Sequence, residues 1–228
     1  MNQTASYKDA TITALGHAGF IVDYPERKLR WAFDPFDITG HDPVDYIFIS
    51  HPHYDHCDPQ SIKKLLGPRT RIIAPACCKK ELEEFADNLE IIDDKEKHED
   101  KQIIYWTTPA YNIDKFRTPS EVFHPKELGG VGWIVEVDRT RFYHAGDTDN
   151  IPEMANLKKI DVAFLPISGT FVMTCDEAVA AAKVIEPKAA VPMHYGKLLG
   201  SVVEATRFQN LLREDIPVII VTDVHHDH

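Results

Sequence analysis

The chain has 228 residues, of which 43% are hydrophobic and 27% are charged, so it is long and apolar enough to fold around a substantial core. Its formal net charge of -11 at pH 7 disfavours nucleic acid or an anionic membrane as a partner, because the average surface field repels polyanions. The first residues do not resemble a signal peptide, no apolar run reaches membrane-spanning length, and the four cysteines lack Cys-x-x-Cys spacing, so we expect a cytoplasmic protein with reduced thiols.

The first part of the chain predicts strands, followed by alternating helices and strands. β-Branched and aromatic runs between turn residues predict strands at 10–15, 20–23, 29–33 and 46–50. Asp58-Pro59 is typical of a helix start, and this helix is expected to end near Gly67. A strand at 71–74 and an amphipathic helix at 77–88 continue an alternation that is typical of a layered α/β fold.

The second half repeats this alternation around one long irregular segment. Strands are predicted at 102–107, 131–137, 141–144, 162–166, 189–192 and 218–221. Two capping-box spellings, Thr174-x-x-Glu177 and Ser201-x-x-Glu204, predict helices that end near residues 185 and 212. The segment 109–130 has little periodicity but contains prolines, glycines and aromatic residues, which favours a functional loop. No linker-like composition appears, so residues 1–228 are interpreted as a single domain.

The strongest chemical signal is the segment from His51 to His56, His-Pro-His-Tyr-Asp-His, which directly follows an apolar strand. It combines three imidazoles and one carboxylate, a ligand set that zinc and similar metals favour. The irregular backbone after a strand can turn these side chains toward one point, at the edge of the sheet where α/β folds place their sites. A lone histidine would be explained by a solvated turn, but this density of ligands indicates a metal site.

The spacing His-x-His-x-Asp-His resembles the signature of the metallo-β-lactamase superfamily, whose α/β fold is a four-layer αβ/βα sandwich with a dinuclear metal site. Further motifs support the resemblance in the expected order along the chain: Leu15-Gly16-His17-Ala18, Tyr143-His144-Ala145-Gly146-Asp147-Thr148 and Val191-Pro192-Met193-His194-Tyr195-Gly196. Within the superfamily, the chain resembles a branch of metal-dependent hydrolases that is distantly related to an ascorbate-6-phosphate lactonase and to N-acyl-phosphatidylethanolamine phospholipase D.

The resemblance implies two groups of metal ligands around one bridging carboxylate. The first metal would be bound by His51 and His53, the second by Asp55, His56 and His194, and both would share Asp147.

The third ligand of the first metal departs from the family pattern. Relatives supply a histidine from a loop after a mid-chain strand, whereas the matching position here is Asn112. His124 lies in the same long loop and is expected to take this place, because imidazole binds zinc better than an amide oxygen does. Weak binding by Asn112, or a water held by it, is the alternative.

Other ligand-type residues are given secondary roles. His17 is expected beside the metals, in a second shell or near the substrate. His144 and Cys57 are interpreted as buried structural residues. The tail His225–His228 is interpreted as adventitious, because chain ends are usually mobile and its spacing matches no site in the family.

The expected cofactors are two divalent metal ions, with Zn2+ favoured by ligand type and availability and Mn2+, Fe2+ or Ni2+ compatible with the same donors. Two such ions generate hydroxide from a shared water, and Asp55 is the expected catalytic residue, which orients this nucleophile or accepts its proton. The expected substrate is a small ester, lactone, phosphodiester or amide. Two alternatives are a metal-binding sensor or scaffold without turnover and a di-iron oxidoreductase, which the lack of a flavin module disfavours. The oligomeric state, including a homo-oligomer, is left open.

Overall fold

The first sheet contains seven strands that neighbour one another in chain order. A computed structural model describes the fold for residues 3–92 and 96–222. The strands are β1 (Thr4–Tyr7), β2 (Ala10–Gly16), β3 (Gly19–Tyr24), β4 (Leu29–Phe33), β5 (Tyr46–Phe48), β6 (Arg71–Ala74) and β7 (Leu89–Ile91). Pairs up to β4 are antiparallel hairpins, and β4 to β7 are parallel, so these last strands end at one edge of the sheet.

The second sheet contains six strands, and a separate hairpin lies in the long irregular segment. The strands are β8 (His98–Asp100), β9 (Ile103–Pro109), β12 (Val131–Val137), β13 (Thr140–His144), β14 (Val162–Pro166) and β15 (Ala189–Met193), and the hairpin is β10 (Phe116–Thr118) with β11 (Glu121–Val122). The sheet order is β15-β14-β13-β12-β9-β8. Because β13, β14 and β15 are parallel, their carboxyl ends also share one edge.

Among the described residues, three α-helices complete the fold: α1 (Pro59–Leu65), α2 (Cys175–Ile185) and α3 (Val202–Leu212). The start of α1 is capped as predicted, since the Asp58 carboxylate accepts from the backbone nitrogens of Gln60 and Ser61. The capping box of α2 is complete, with Thr174 and Glu177 each accepting from the other's backbone nitrogen. Within the described part of the chain, no helix combines the length and apolar character needed to cross a membrane.

The elements stack as helix, sheet, sheet and helices. Aromatic side chains fill the space between the sheets, with ring centroids 5.4 Å apart for Trp31 and Phe142 and 4.6 Å apart for Phe20 and Phe164. A second core cluster joins the outer face of the first sheet to α1, and α2 packs against β14 and α3. Burying each such large apolar side chain contributes roughly 1.5–3 kcal/mol. This is the four-layer αβ/βα sandwich that the sequence predicts.

The predicted helix at 77–88 is wrong. The buried positions Cys78, Leu82 and Phe85 do follow helical spacing, but the backbone forms separate 3-10 turns at Ala76–Cys78 and Glu83–Phe85. A short segment gains few intrahelical hydrogen bonds, so packing decides its backbone geometry once the apolar side chains are buried.

Two further expectations near the carboxyl end are also wrong. The predicted strand at 218–221 makes only one isolated bridge to the edge strand β15, between Val218 and Ala190. Pro217 directly before it has no backbone N–H to donate, which limits pairing at this point. The helix α3 does begin after Ser201, but the Ser201 side chain makes no capping hydrogen bond.

Candidate metal centre

The predicted ligands converge where strands of both sheets end. The segment from His51 to His56 follows β5, Asp147 follows β13, and His194 follows β15. Gly146 allows the chain to turn before Asp147: its φ is 64°, and a Cβ there would lie 2.7 Å from the Val131 carbonyl oxygen. The topology therefore brings ligands from distant parts of the chain to one place.

The first group of donors consists of three imidazoles. His51 Nε2 lies 3.1 Å from His53 Nδ1, and His53 Nδ1 lies 3.1 Å from His124 Nε2. Two nitrogens bound to one tetrahedral zinc ion at 2.0–2.1 Å lie about 3.3 Å apart. The group therefore has the donor type and the spacing of a three-histidine metal site.

The second group consists of His17, Asp55, His56 and His194, whose candidate ligand atoms all lie within 4.8 Å of one another. His17 Nε2 is 3.0 Å from Asp55 Oδ2, and His56 Nε2 is 4.0 Å from the same oxygen. Burial would raise the pKa of Asp55, but the hydrogen bond from His17 and the charge of His56 lower it to about 2. The Asp55 carboxylate is therefore ionised and held toward the group by His17.

Asp147 lies between the two groups and faces both. Its Oδ2 is 3.3 Å from His124 Nε2 in the first group and 3.2 Å from His194 Nε2 in the second. Its Oδ1 is 3.2 Å from His56 Nε2. Burial alone would raise the pKa of Asp147, but the His194 and His56 imidazoles hold it well below its usual value. A buried, ionised carboxylate in this position has the geometry of a bridging ligand.

A buried carboxylate, Asp34, orients imidazoles in both groups. Asp34 Oδ2 accepts from His56 Nδ1 at 2.8 Å, which directs His56 Nε2 toward Asp147. The Ser50 hydroxyl donates to Asp34 Oδ2 at 2.5 Å, so the same hydroxyl oxygen accepts from His51 Nδ1 at 2.9 Å. Such outer hydrogen bonds fix the tautomer and the ring orientation of metal-binding histidines.

Asn112 plays the same part for His124. Asn112 Oδ1 accepts from the backbone nitrogen of His124 and from its ring Nδ1, both at 2.9 Å. The amide nitrogen of Asn112 donates to Asp149 and to the carbonyl oxygen of Phe171, which fixes the side chain. Asn112 therefore holds His124 in place, and His124 presents its other nitrogen to the first group.

His17 and His194 support each other across the second group. His194 N donates to the His17 carbonyl oxygen at 2.8 Å, and their ring centroids lie 3.9 Å apart. Both backbones adopt positive φ, at 54° for His17 and 61° for His194, a conformation that costs about 1–3 kcal/mol for residues other than glycine. Ser168 Oγ lies 2.9 Å from His194 Nδ1 and fixes that ring.

Burial keeps imidazoles of this centre neutral, the form in which they bind metals. Desolvation lowers the pKa of His124 to about 4 and that of His51 well below its usual value. His56 differs, because the carboxylates of Asp147 and Asp34 raise its pKa well above its usual value although burial opposes this. The point between His56 and Asp147 therefore attracts positive charge strongly.

The donor atoms themselves show that cations fit here. Among the described residues, four buried atoms of this cluster have no hydrogen-bond partner: His17 Nδ1, His56 Nε2, His194 Nε2 and Asp147 Oδ1. Leaving a buried polar atom without a partner costs about 1–3 kcal/mol. With its Nδ1 hydrogen donated to Asp34, a neutral His56 turns a lone pair toward the Asp147 oxygen, and a metal ion satisfies both.

All the residues that the sequence placed in the site lie at this edge, and the structure adds others. The sequence analysis missed Asp34, Ser50 and Ser168. Their positions offered a signal in two cases, since Asp34 directly follows a predicted strand and Ser50 ends one. Their roles depend on which ring nitrogen each histidine turns inward, and the sequence does not give this.

Three remaining ligand-type features of the sequence stay outside the two groups. His144 is buried and stacks on Phe33 at 5.0 Å, and Cys57 is buried beside the motif. Neither belongs to a described group of metal-binding donors. The tail His225–His228 lies outside the described residues.

Comparisons with known proteins find relatives that cover most of the chain. The sequence model of a family described as "Beta-lactamase superfamily domain" matches residues 11–194. A protein of Nanoarchaeum equitans, described as a UPF0173 metal-dependent hydrolase, is 32% identical over 197 residues, which cover 81% of this chain and 83% of that protein.

Solved structures share the fold over nearly the whole chain. One from Parabacteroides distasonis, described as a metal-dependent hydrolase, is 29% identical with a TM-score of 0.82, covering 97% of this chain and 98% of that chain. A metallo hydrolase of the archaeon Ignicoccus hospitalis, at 22% identity and a TM-score of 0.75, covers 93% of this chain and 95% of its own and shows the fold alone.

Proposed function

Because the chain belongs to the β-lactamase superfamily and is a metal-dependent hydrolase, we propose that it binds two divalent metal ions and cleaves a small ester, lactone, phosphodiester or amide. The observation that carries this proposal is the pair of donor groups that share Asp147 and contain buried atoms without other partners. The relatives are described as hydrolases, which favours this reaction over a sensor without turnover or a di-iron oxidoreductase.

Six residues of the centre would each bind one ion, and Asp147 would bind both. The first ion would be bound by the imidazoles of His51, His53 and His124. The second would be bound by the Asp55 carboxylate and the imidazoles of His56 and His194, and Asp147 would be shared by both ions. Nitrogen-rich sites of this kind favour zinc, and manganese, iron or nickel suit the same donors. When bound, two divalent ions lower the pKa of a shared water toward neutrality and polarise the oxygen of the bond to be cleaved.

The open side of the centre lies at Asp55 and His53. These two side chains are partly exposed, whereas His51, His56 and His194 are buried. Substrate therefore approaches over Asp55, whose Oδ2 is fixed by His17. We assign to the Asp55 carboxylate the orientation of the attacking water and the acceptance of its proton.

Hydrolysis before and after metal removal tests this function. The purified protein is assayed on a 4-nitrophenyl ester, a lactone, bis(4-nitrophenyl) phosphate and an anilide, then after chelation and after return of Zn2+ or Mn2+. We expect turnover of at least one class, its loss on chelation and its return with metal.

Two variants connect this activity to the centre. Asp55→Asn should reduce kcat about a hundredfold or more, because the carboxylate that binds the second ion and accepts the proton of the water is lost. Asp138→Asn, an exposed carboxylate in the turn between β12 and β13, should leave kcat unchanged. Turnover that survives chelation, or no turnover of any class, would contradict the function.

A further inference from the structure

The hairpin β10–β11 is carried by the same loop that supplies His124. At its base, Asn112 N donates to the His124 carbonyl oxygen at 2.8 Å, and Asn112 Oδ1 accepts from His124 N at 2.9 Å. One step outward, Phe123 N donates to the Lys115 carbonyl oxygen at 2.9 Å. The hairpin therefore begins at the metal centre, so a side chain that folds back along it lies at the rim of the site.

Arg117, in β10, folds back in this way. Its guanidinium carbon lies 5.6 Å from the centroid of the Phe123 ring, and Phe123 directly precedes His124. The Phe123 ring is fixed by an edge-to-face contact with Phe171, at 4.6 Å between centroids. The exposed guanidinium is therefore held beside the residue that directly precedes His124.

Arg117 forms no ion pair with a described residue, unlike the cations around it. Lys115, two residues earlier, lies against three carboxylates, and Lys126, in the same loop, pairs with Glu153 at 2.8 Å. The chain has 36 acidic and 25 basic residues, so an unpaired arginine beside a ligand cluster is not explained by a shortage of carboxylates. Its positive charge is available to an anion from outside the protein.

We infer that Arg117 recognises an anionic group of the substrate, so that the molecule cleaved at the metal centre carries a carboxylate or phosphate near its scissile bond. The inference rests on the proposed function. The planar guanidinium offers paired N–H donors that match both anions, and stacking on Phe123 restricts its rotamers before binding. The chain's net charge of -11 repels anions at long range, so local positive charge at the rim is what selects them.

Two 4-nitrophenyl esters, one neutral and one with a terminal carboxylate on its acyl chain, test this inference. 4-Nitrophenyl acetate is neutral, and mono-4-nitrophenyl glutarate has the same ester with a free carboxylate. Arg117→Gln should raise KM for the glutarate roughly tenfold to a hundredfold and leave kcat/KM for the acetate within about twofold. Arg69→Gln is the matched control, because Arg69 is an exposed arginine in the turn before β6, at the other end of the strands. It should change neither substrate.

A binding measurement separates this inference from the proposed function. Glutarate and inorganic phosphate are titrated calorimetrically into the zinc-loaded wild-type protein and into the two variants, which requires no turnover. Arg117→Gln should weaken binding of at least one anion by the same roughly tenfold to hundredfold, and the preferred anion identifies the substrate's charged group. Unchanged affinity for both anions, or an equal loss of activity on both esters, would overturn the role of Arg117. Anion binding that depends on Arg117, without turnover of the ester, lactone, phosphodiester or anilide, would overturn the proposed function alone.

Discussion

Asp34 shows how a single residue without access to substrate controls the centre. Its carboxylate accepts from the Ser50 backbone and hydroxyl and from the His56 ring, while its own backbone holds a φ of 39°. A positive φ costs about 1–3 kcal/mol outside glycine, and it persists where surrounding contacts fix it. Asp34 therefore acts through His56, which it positions.

Replacing Asp34 tests this positioning role. Asp34→Asn keeps the shape of the side chain but faces the donating groups of Ser50 and His56 with either an amide N–H or a weaker acceptor oxygen. The affinity for metal should therefore fall about tenfold to a hundredfold. Competition with a zinc-binding indicator measures the affinity. Asp45→Asn is the matched control, because Asp45 accepts from Arg30 N before β5, and its loss should leave zinc affinity unchanged. Equal zinc affinity in wild type and Asp34→Asn would refute the role.

His51 and His53 should be needed for one metal only. The double variant His51→Ala, His53→Ala removes two of three imidazoles from the first group but leaves the second group complete. Elemental analysis should therefore give one metal per chain fewer than the wild type, with the far-ultraviolet circular dichroism retained. His98→Ala, on the edge strand β8, serves as the control. Unchanged stoichiometry in the double variant would show that these histidines bind no metal.

At the scale of elements, α2 and α3 both begin with a capping-box sequence, but only α2 forms the capping hydrogen bonds. Thr174 makes both hydrogen bonds of its capping box, whereas the Ser201 side chain makes no capping bond. Thr174→Ala should therefore lower the free energy of unfolding by about 1 kcal/mol, because a backbone N–H of α2 loses its partner. Ser201→Ala should change it by a few tenths of a kcal/mol at most. Urea unfolding of the metal-loaded protein measures both, and equal losses would refute the distinction.

The sequence predicted elements well where periodicity and burial agree. The two-sheet sandwich and the helices α1, α2 and α3 follow from alternating strand and helix patterns. The segment 77–88 has helical spacing of buried side chains but turns in its backbone, because packing rather than hydrogen bonding sets its shape. The strand β1, in a polar segment, carries no hydrophobic run by which it could be recognised.

The metal-binding motif of the candidate site could be predicted from the sequence, but the hydrogen bonds that orient its histidines could not. Three histidines and a carboxylate in six residues identify metal-binding chemistry from composition and spacing alone. The part played by Asn112 depends on where the chain returns twelve residues later, since its oxygen meets His124 only after the hairpin closes. Tertiary contacts of this kind leave no local pattern in a sequence.

For the whole molecule, the centre connects the two halves of the sandwich. The segment from His51 to His56 follows a strand of the first sheet, whereas Asp147 and His194 each follow a strand of the second. Metal ions bound between the sheets would stabilise the folded chain over the unfolded one, by an amount set by their concentration and affinity. They would also place positive charge in a molecule whose net charge is -11, which would make the centre attractive to anions despite the overall field.

The central claim is that two metal ions share Asp147 at this junction. Crystals of the zinc-loaded protein, measured at the zinc absorption edge, locate each ion by its anomalous scattering. Two peaks are expected per chain, one among His51, His53 and His124 and one among Asp55, His56 and His194, each with an Asp147 oxygen about 2.0–2.2 Å away. A single peak at the centre, or two peaks of which only one contacts Asp147, would contradict the shared site.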